Sequence, residues 1–234
     1  MTPRNLERIT SDYERMWADS SARLRIGDIR PDPVPGDGSR RWGVSAVIRP
    51  LGRVQSRLAE AADELKALAG DRQVVYGPTN LHTTVRSIEF HRIDVGEHDE
   101  KVSEYRQALQ KILRDFGPIP MTYRGLTSDG TSIMAQGWPA DDTLQLVREA
   151  FHAELGRRAL LGGPERSSVR QTSHASLIVF THPLCHAEKL ADRVRDNRTT
   201  DYGRCDITDV ELVRYRRSES DVRLDVFASV PARR

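Results

Sequence analysis

The chain has 234 residues, enough for one large core or two small lobes, and its 38% hydrophobic and 30% charged content is an ordinary soluble balance. With 36 basic against 34 acidic side chains the formal net charge is only +2, which argues against a protein that coats duplex DNA yet leaves room for a locally basic cleft. Residues 1–10 carry charge but no apolar stretch, and no run of about 18 apolar residues occurs, so neither a leader peptide nor a membrane span is expected and the cytoplasm is the default compartment.

Leu6, Ile9, Tyr13, Met16 and Trp17 recur at three- and four-residue spacing, which predicts a helix over 3–24. The proline- and glycine-rich stretch 29–39 breaks both helix and strand and reads as an exposed connector, so the chain divides into a 1–40 segment and a 41–234 domain. A strand over 42–48 ends at Pro50, and Val54, Leu58, Ala62, Leu65 and Leu68 then mark an amphipathic helix that stops at Gly70. Short strands follow over 73–76 and 81–90, and a helix over 99–116 closes at Gly117-Pro118. The Asp129-Gly130 turn joins strands 119–126 and 131–137 into a hairpin that would complete the first half.

The second half opens with a helix capped by Asp141 or Asp142 and carrying Leu144, Val147, Phe151 and Leu155. The segment 156–170 reads as a mobile loop, with Arg157, Arg158, Arg166 and Arg170 forming either a basic lip or a solvated surface. A strand over 174–180, a helix over 184–195 and two strands, 205–215 and 222–230, complete the chain. Strands and helices mix as βαβ-like pieces joined by hairpins, which points to an α+β fold with mostly antiparallel sheets.

Two short patterns carry the chemistry. Asn80-Leu81-His82-Thr83-Thr84-Val85 and Ser173-His174-Ala175-Ser176-Leu177 each read His, any residue, Thr or Ser. Side chains alternate along a strand, so His82 shares a face with Thr84, and His174 with Ser176. The histidines are 92 residues apart (174 − 82 = 92) and so are the hydroxyls (176 − 84 = 92), the separation expected of a duplicated lobe. Two imidazoles and two hydroxyls would then line one cleft. The bland alternative is two core histidines.

This paired H-x-[ST] pattern resembles the two-histidine (2H) phosphoesterase superfamily, which includes RNA 2′,3′-cyclic phosphodiesterases and 2′-5′ RNA ligase-like proteins. The likeness extends over about 41–230, to the opening strand Gly43-Val44-Ser45-Ala46-Val47-Ile48 and to Phe116-Gly117-Pro118-Ile119 before a hairpin. Ser176 stands where Thr is commoner. The resemblance implies a bilobal α+β fold, two mostly antiparallel sheets with flanking helices around a central cleft, related by a pseudo-two-fold axis. It also implies a phosphodiesterase, with His82 and His174 catalytic and Thr84 and Ser176 binding phosphate.

Imidazole suits both the base and the acid role because its ordinary pKa is near 6.5, and no cofactor or metal is required. The pattern does not say which histidine is which, nor whether hydrolysis or ligation is the direction. Arg86, on the parity of His82 and Thr84, is a candidate for phosphate, Tyr76 for stacking on a base, and Arg170 for the cleft rim. His182 and His186 sit four apart but enclose Pro183 and lack a Glu or Cys companion, so a metal site is not expected. Cys185 and Cys205 have no metal-ligand spacing and read as idle thiols. The expected partner is a small nucleotide or an RNA terminus bearing a cyclic phosphate or a 2′-5′ linkage, with no membrane and no duplex DNA, and the protein a monomer. The competing reading is a module that binds a nucleotide or RNA end in the same cleft without turning it over.

Overall fold

The computed structural model describes residues 3–233, with side chains from Asn5 onward; residues 1–2 and 234, at the outer ends of the two expected segments, lie outside it. Five helices, α1 (Pro3–Arg25), α2 (Gly52–Ala69), α3 (Glu100–Leu113), α4 (Thr143–Arg157) and α5 (Ala187–Asp196), flank nine strands. These are β1 (Ser45–Ile48), β2 (Val74–Val75), β3 (Thr83–Ser87), β4 (Ile119–Ser128), β5 (Ser132–Pro139), β6 (Ser173–Val179), β7 (Asp201–Ile207), β8 (Asp209–Arg217) and β9 (Val222–Pro231). The architecture is α+β and every strand pairing is antiparallel.

The strands run in the order β7-β4-β5-β6-β3-β1-β8-β9, with β2 along β6. The two lobes are the four-stranded halves of this order, and they meet at the motif strands β3 and β6, which share the single register pair Thr83 and Ala175. The expected two sheets are thus joined at a one-pair seam, and the splay on either side of it opens the cleft. Only Thr208 separates β7, at one end of the order, from β8 near the other. Laid flat, six inter-strand spacings would put those strands about 29 Å apart, whereas two peptide links reach about 7 Å, so the sheet must curl.

Two expectations are corrected here. The span 205–215 is not one strand: it breaks at Thr208 into the end of β7 and the start of β8, because its residues pair with β4 on one side and β1 on the other. Nor are the lobes contiguous halves of the chain. The β4–β5 hairpin that follows the first motif pairs with β6, in the second motif's lobe, and the β8–β9 hairpin pairs with β1 beside the first. Each half of the chain lends its hairpin to the other, which welds the lobes through one continuous apolar core.

Helix α1 is docked on the β4–β5–β6 lobe. The buried Tyr13 hydroxyl accepts from Gly137 N at 3.2 Å and donates to the Ser173 carbonyl, so it braces the residue before His174. Ser20 donates to the Ser128 carbonyl at 2.8 Å, and Arg25 pairs with Glu188 and Asp192 on α5. The connector is pinned as well: Asp32 N donates to Phe180 O at 2.7 Å and Arg30 N to Gly130 O at 2.9 Å. Cys185 is exposed and Cys205 half-buried, and both are free.

Candidate active site

Antiparallel pairing of Thr83 with Ala175 dictates the site's plan. Those two residues point into the core, both fully buried, with the Thr83 hydroxyl 2.8 Å from that of Tyr123. Carried one residue either way, the register sets His82 across from Ser176 and Thr84 across from His174, all four on the opposite face. In that register the histidines fall on one diagonal of this square and the hydroxyls on the other. All four side chains line one cleft of about 440 Å³.

Both motif strands carry a β-bulge directly after the hydroxyl residue. Thr84 pairs with Val47 and Arg86 with Ala46, leaving Val85 without a partner on β1; Ser176 pairs with Met134 and Ile178 with Ile133, leaving Leu177 without one on β5. The bulged residues are again 92 apart (177 − 85 = 92). A one-residue slip reverses facing, so the bulge ends the cleft-facing run and turns the next side chain away.

That reversal corrects the expectation for Arg86. It does not share a face with Thr84: it is 2% exposed and donates to the carbonyls of Glu165 at 2.6 Å and Ser168 at 3.4 Å. Ser87 and, across from it, Ser45 line the cleft instead. The 158–172 loop is accordingly held rather than mobile. The Glu165 carboxylate accepts from Ser87 N at 3.2 Å and pairs with Arg170, which lines the cleft. Arg157 and Arg158 pair with Glu154 and Arg166 lines a different cavity, so Arg170 alone of the four arginines reaches the cleft.

His82 is held at both ring nitrogens. Its Nδ1 lies 2.8 Å from Asn80 O, which can only accept, so Nδ1 carries the proton and Nε2 accepts from the Tyr215 hydroxyl at 3.0 Å. The Tyr76 ring packs on its other side, 5.7 Å between centroids. His174 is looser, its Nδ1 having no hydrogen-bond partner among the described residues. Burial pushes the His82 imidazole down to about 4; the Asn80 carbonyl opposes this, and Arg49 and Arg170 add to it. Burial also pushes His174 down to about 3, helped by Arg170 and opposed by Asp129. Asp129 lines the cleft; burial raises its pKa, but hydrogen bonds from Thr131 and Ser132 and the nearby His174 leave it below the ordinary value.

Behind the seam lies Arg148, 2% exposed, which donates to Thr84 O at 2.8 Å and Val85 O at 3.2 Å on one motif strand and to Thr172 O at 3.2 Å and Arg170 O at 3.3 Å before the other. Its planar fork satisfies carbonyls that the splay of β3 from β6 leaves free, and it sets a positive charge beneath the cleft floor.

Pattern reading missed Tyr215, Asp129 and the consecutive Arg40, Arg41 and Trp42 that follow the connector, all of which line the cleft. Trp42 has φ +70, in the left-handed region where a bulky residue is uncommon. Its Nε1 donates to the Asp32 carboxylate at 2.8 Å, and its ring packs edge-on against Tyr215 at 5.5 Å. Gly43 follows because a Cβ there would fall 1.9 Å from Glu89 O. The rare conformation at Trp42 has no local signal, although Gly43 beside an aromatic is consistent with it.

No protein-family model and no curated protein matches the sequence. Solved structures do match. The Thermus thermophilus protein TT0787 superposes at a TM-score of 0.60 with 17% identity, over 81% of this chain and 97% of that one. The E. coli LigT protein in its apo form gives 0.53 with 12% identity over 82% and 98%, and a structure described as a phosphoesterase gives 0.52 with 12% identity over 82% and 99%. The chain has the 2H phosphoesterase fold. The seam between its lobes is where the paired histidines stand. The neighbours are covered nearly end to end, so the remainder of this chain is additional to the shared 2H core.

Proposed function

We propose that this protein is a phosphodiesterase that hydrolyses a 2′,3′-cyclic phosphate or a 2′-5′ phosphodiester of RNA or a small nucleotide, with His82 and His174 as the proton-transfer pair. The observation that carries this reading is that two imidazoles and two hydroxyls line one cleft. In-line displacement needs a proton taken from the incoming water on one side of phosphorus and a proton given to the departing ribose oxygen on the other. One imidazole accepts the first as the new P–O bond forms; the other donates the second as the old P–O bond breaks. Thr84 and Ser176, on the other diagonal, donate to the non-bridging oxygens, where negative charge grows in the transition state.

Both histidines are neutral in the free protein at pH 7. A phosphodiester monoanion entering the cleft favours the imidazolium form of one of them, which supplies the acid. Arg170 and the buried Arg148 add positive potential that favours the anion. Tyr76, packed on His82 at the cleft wall, supports a role beside the base of the substrate. The E. coli LigT structure complexed with 3′-AMP supports a nucleotide ligand, and the one complexed with phosphate supports a phosphate-binding cleft.

The chemistry asks nothing of a metal, and the test is run accordingly. Purified protein is incubated in EDTA with 2′,3′-cyclic nucleotides and with 2′-5′ linked oligonucleotides. Turnover that His82→Ala and His174→Ala each abolish is the expected result. Saturable binding of these compounds without turnover would replace the enzyme by a binding module.

A further inference from the structure

β8 and β9 carry Arg214, Arg216, Arg217 and Arg223, for which the histidine chemistry has no use. With Arg92 they line a second cavity of about 410 Å³, whose lining contains one carboxylate, Asp221. This groove adjoins the histidine cleft. Tyr215 lines both, and the Arg217 guanidinium lies 5.6 Å from the centroid of the Trp42 ring, which faces the cleft.

The register places Arg216 directly opposite Arg223 on the β8–β9 hairpin, at 62% and 80% side-chain exposure. Each has a carboxylate partner, Asp225 for Arg216 and Asp221 for Arg223, and Arg92 pairs with Glu89 and Asp99. Arg214 and Arg216 share the single Asp225 carboxylate, and Arg217 leaves Nε and Nη1 without partners. Five guanidinium groups against the four carboxylates of Glu89, Asp99, Asp221 and Asp225 leave a positive excess, carried by Arg217, beside a cleft suited to phosphate. The fork of each guanidinium matches two phosphate oxygens, and a cationic groove flanked by rings such as Tyr215 and His91 is the form that tracks a single strand.

We propose that the β8–β9 groove holds the phosphodiester next to the reacting end, so that the substrate is a single-stranded RNA terminus of two or more nucleotides. The assignment rests on the phosphodiesterase reading of the adjoining cleft. It makes the groove the specificity element and the Tyr215–Trp42 wall the passage between the two phosphates.

The test compares kcat/KM for a 2′,3′-cyclic mononucleotide with that for a trinucleotide ending in the same cyclic phosphate, in wild type and in an Arg216→Ala/Arg223→Ala double variant, at low and high salt. Wild type is expected to prefer the trinucleotide at least tenfold, mainly through KM and less so at high salt. In the double variant the ratio of the two kcat/KM values is expected to fall toward one. Equal use of both substrates by wild type, or an unchanged ratio in the variant, overturns the proposal. If neither substrate is turned over, the hydrolytic reading fails separately, and fluorescence anisotropy of a labelled trinucleotide decides the groove. Salt-sensitive binding that the double variant weakens supports it, and binding that is absent or equal in both proteins overturns it.

Discussion

The phenolic hydroxyl of Tyr215 donates to Nε2 of His82 at 3.0 Å, joining the last hairpin of the chain to the first motif. A donor at Nε2 favours the neutral ring, because the imidazolium has no lone pair to receive it. Tyr215→Phe is therefore expected to raise the His82 pKa in the free protein, and imidazole proton NMR across pH 3 to 8 reads the change. An unaltered titration would mean that burial, the Asn80 carbonyl and the nearby arginines set it without Tyr215.

Thr84 and Ser176 serve as the oxyanion donors in the proposed reaction. Thr84→Val and Ser176→Ala are each expected to lower kcat roughly 10²–10³-fold. Ser176→Thr, which makes the two motifs identical at that position, should retain activity. Steady-state turnover of a cyclic nucleotide checks all three, and full activity in the alanine and valine variants would remove the hydroxyls from the mechanism.

Arg86 and Arg170 should respond differently to loss. Arg86→Met strips two loop carbonyls of their donor, at about 1–3 kcal/mol for each left unpaired, so the expected signature is a lower Tm and new proteolytic cleavage within 158–172. Arg170→Ala, at the cleft wall, should raise KM with a smaller change in Tm. Thermal melts and limited proteolysis separate the two. An Arg86 variant with wild-type Tm and a raised KM would return that residue to the phosphate.

Acid should weaken the fold through the histidines. His82 and His174 are held at about 4 and about 3, below the ordinary value of about 6.5, so between those limits the unfolded chain binds protons that the folded one does not. Their contribution is complete above about pH 6.5 and is lost as pH falls through the window. The Tm of wild type is expected to drop more steeply from pH 7 to 4 than that of a His82→Gln/His174→Gln variant. Parallel curves would place the titration elsewhere.

The helices and the hairpin turns were legible because each carries a local signal: apolar residues at helical spacing in α2 and α3, and Asp129-Gly130 between β4 and β5. That His82, Thr84, His174 and Ser176 would line one cleft was legible because a repeated pattern 92 residues apart outweighs either copy alone. Tyr215 was not, since a tyrosine in an alternating strand looks the same whether it faces core or cleft. The break at Thr208 was hidden for a related reason: both flanks are strand-like, and only their different partners, β4 and β1, separate them.

By itself the sequence determined that each motif histidine would share a face with its hydroxyl, because strand alternation is a property of the backbone over three residues. Tertiary structure decided everything one residue further on. The unpartnered Val85 turns Arg86 from the cleft to the loop, the exchanged hairpins bring Tyr215 to His82, and the backbone turn after the connector adds Trp42. Each of these depends on which strand lies alongside, and that is settled by packing between segments far apart in the chain.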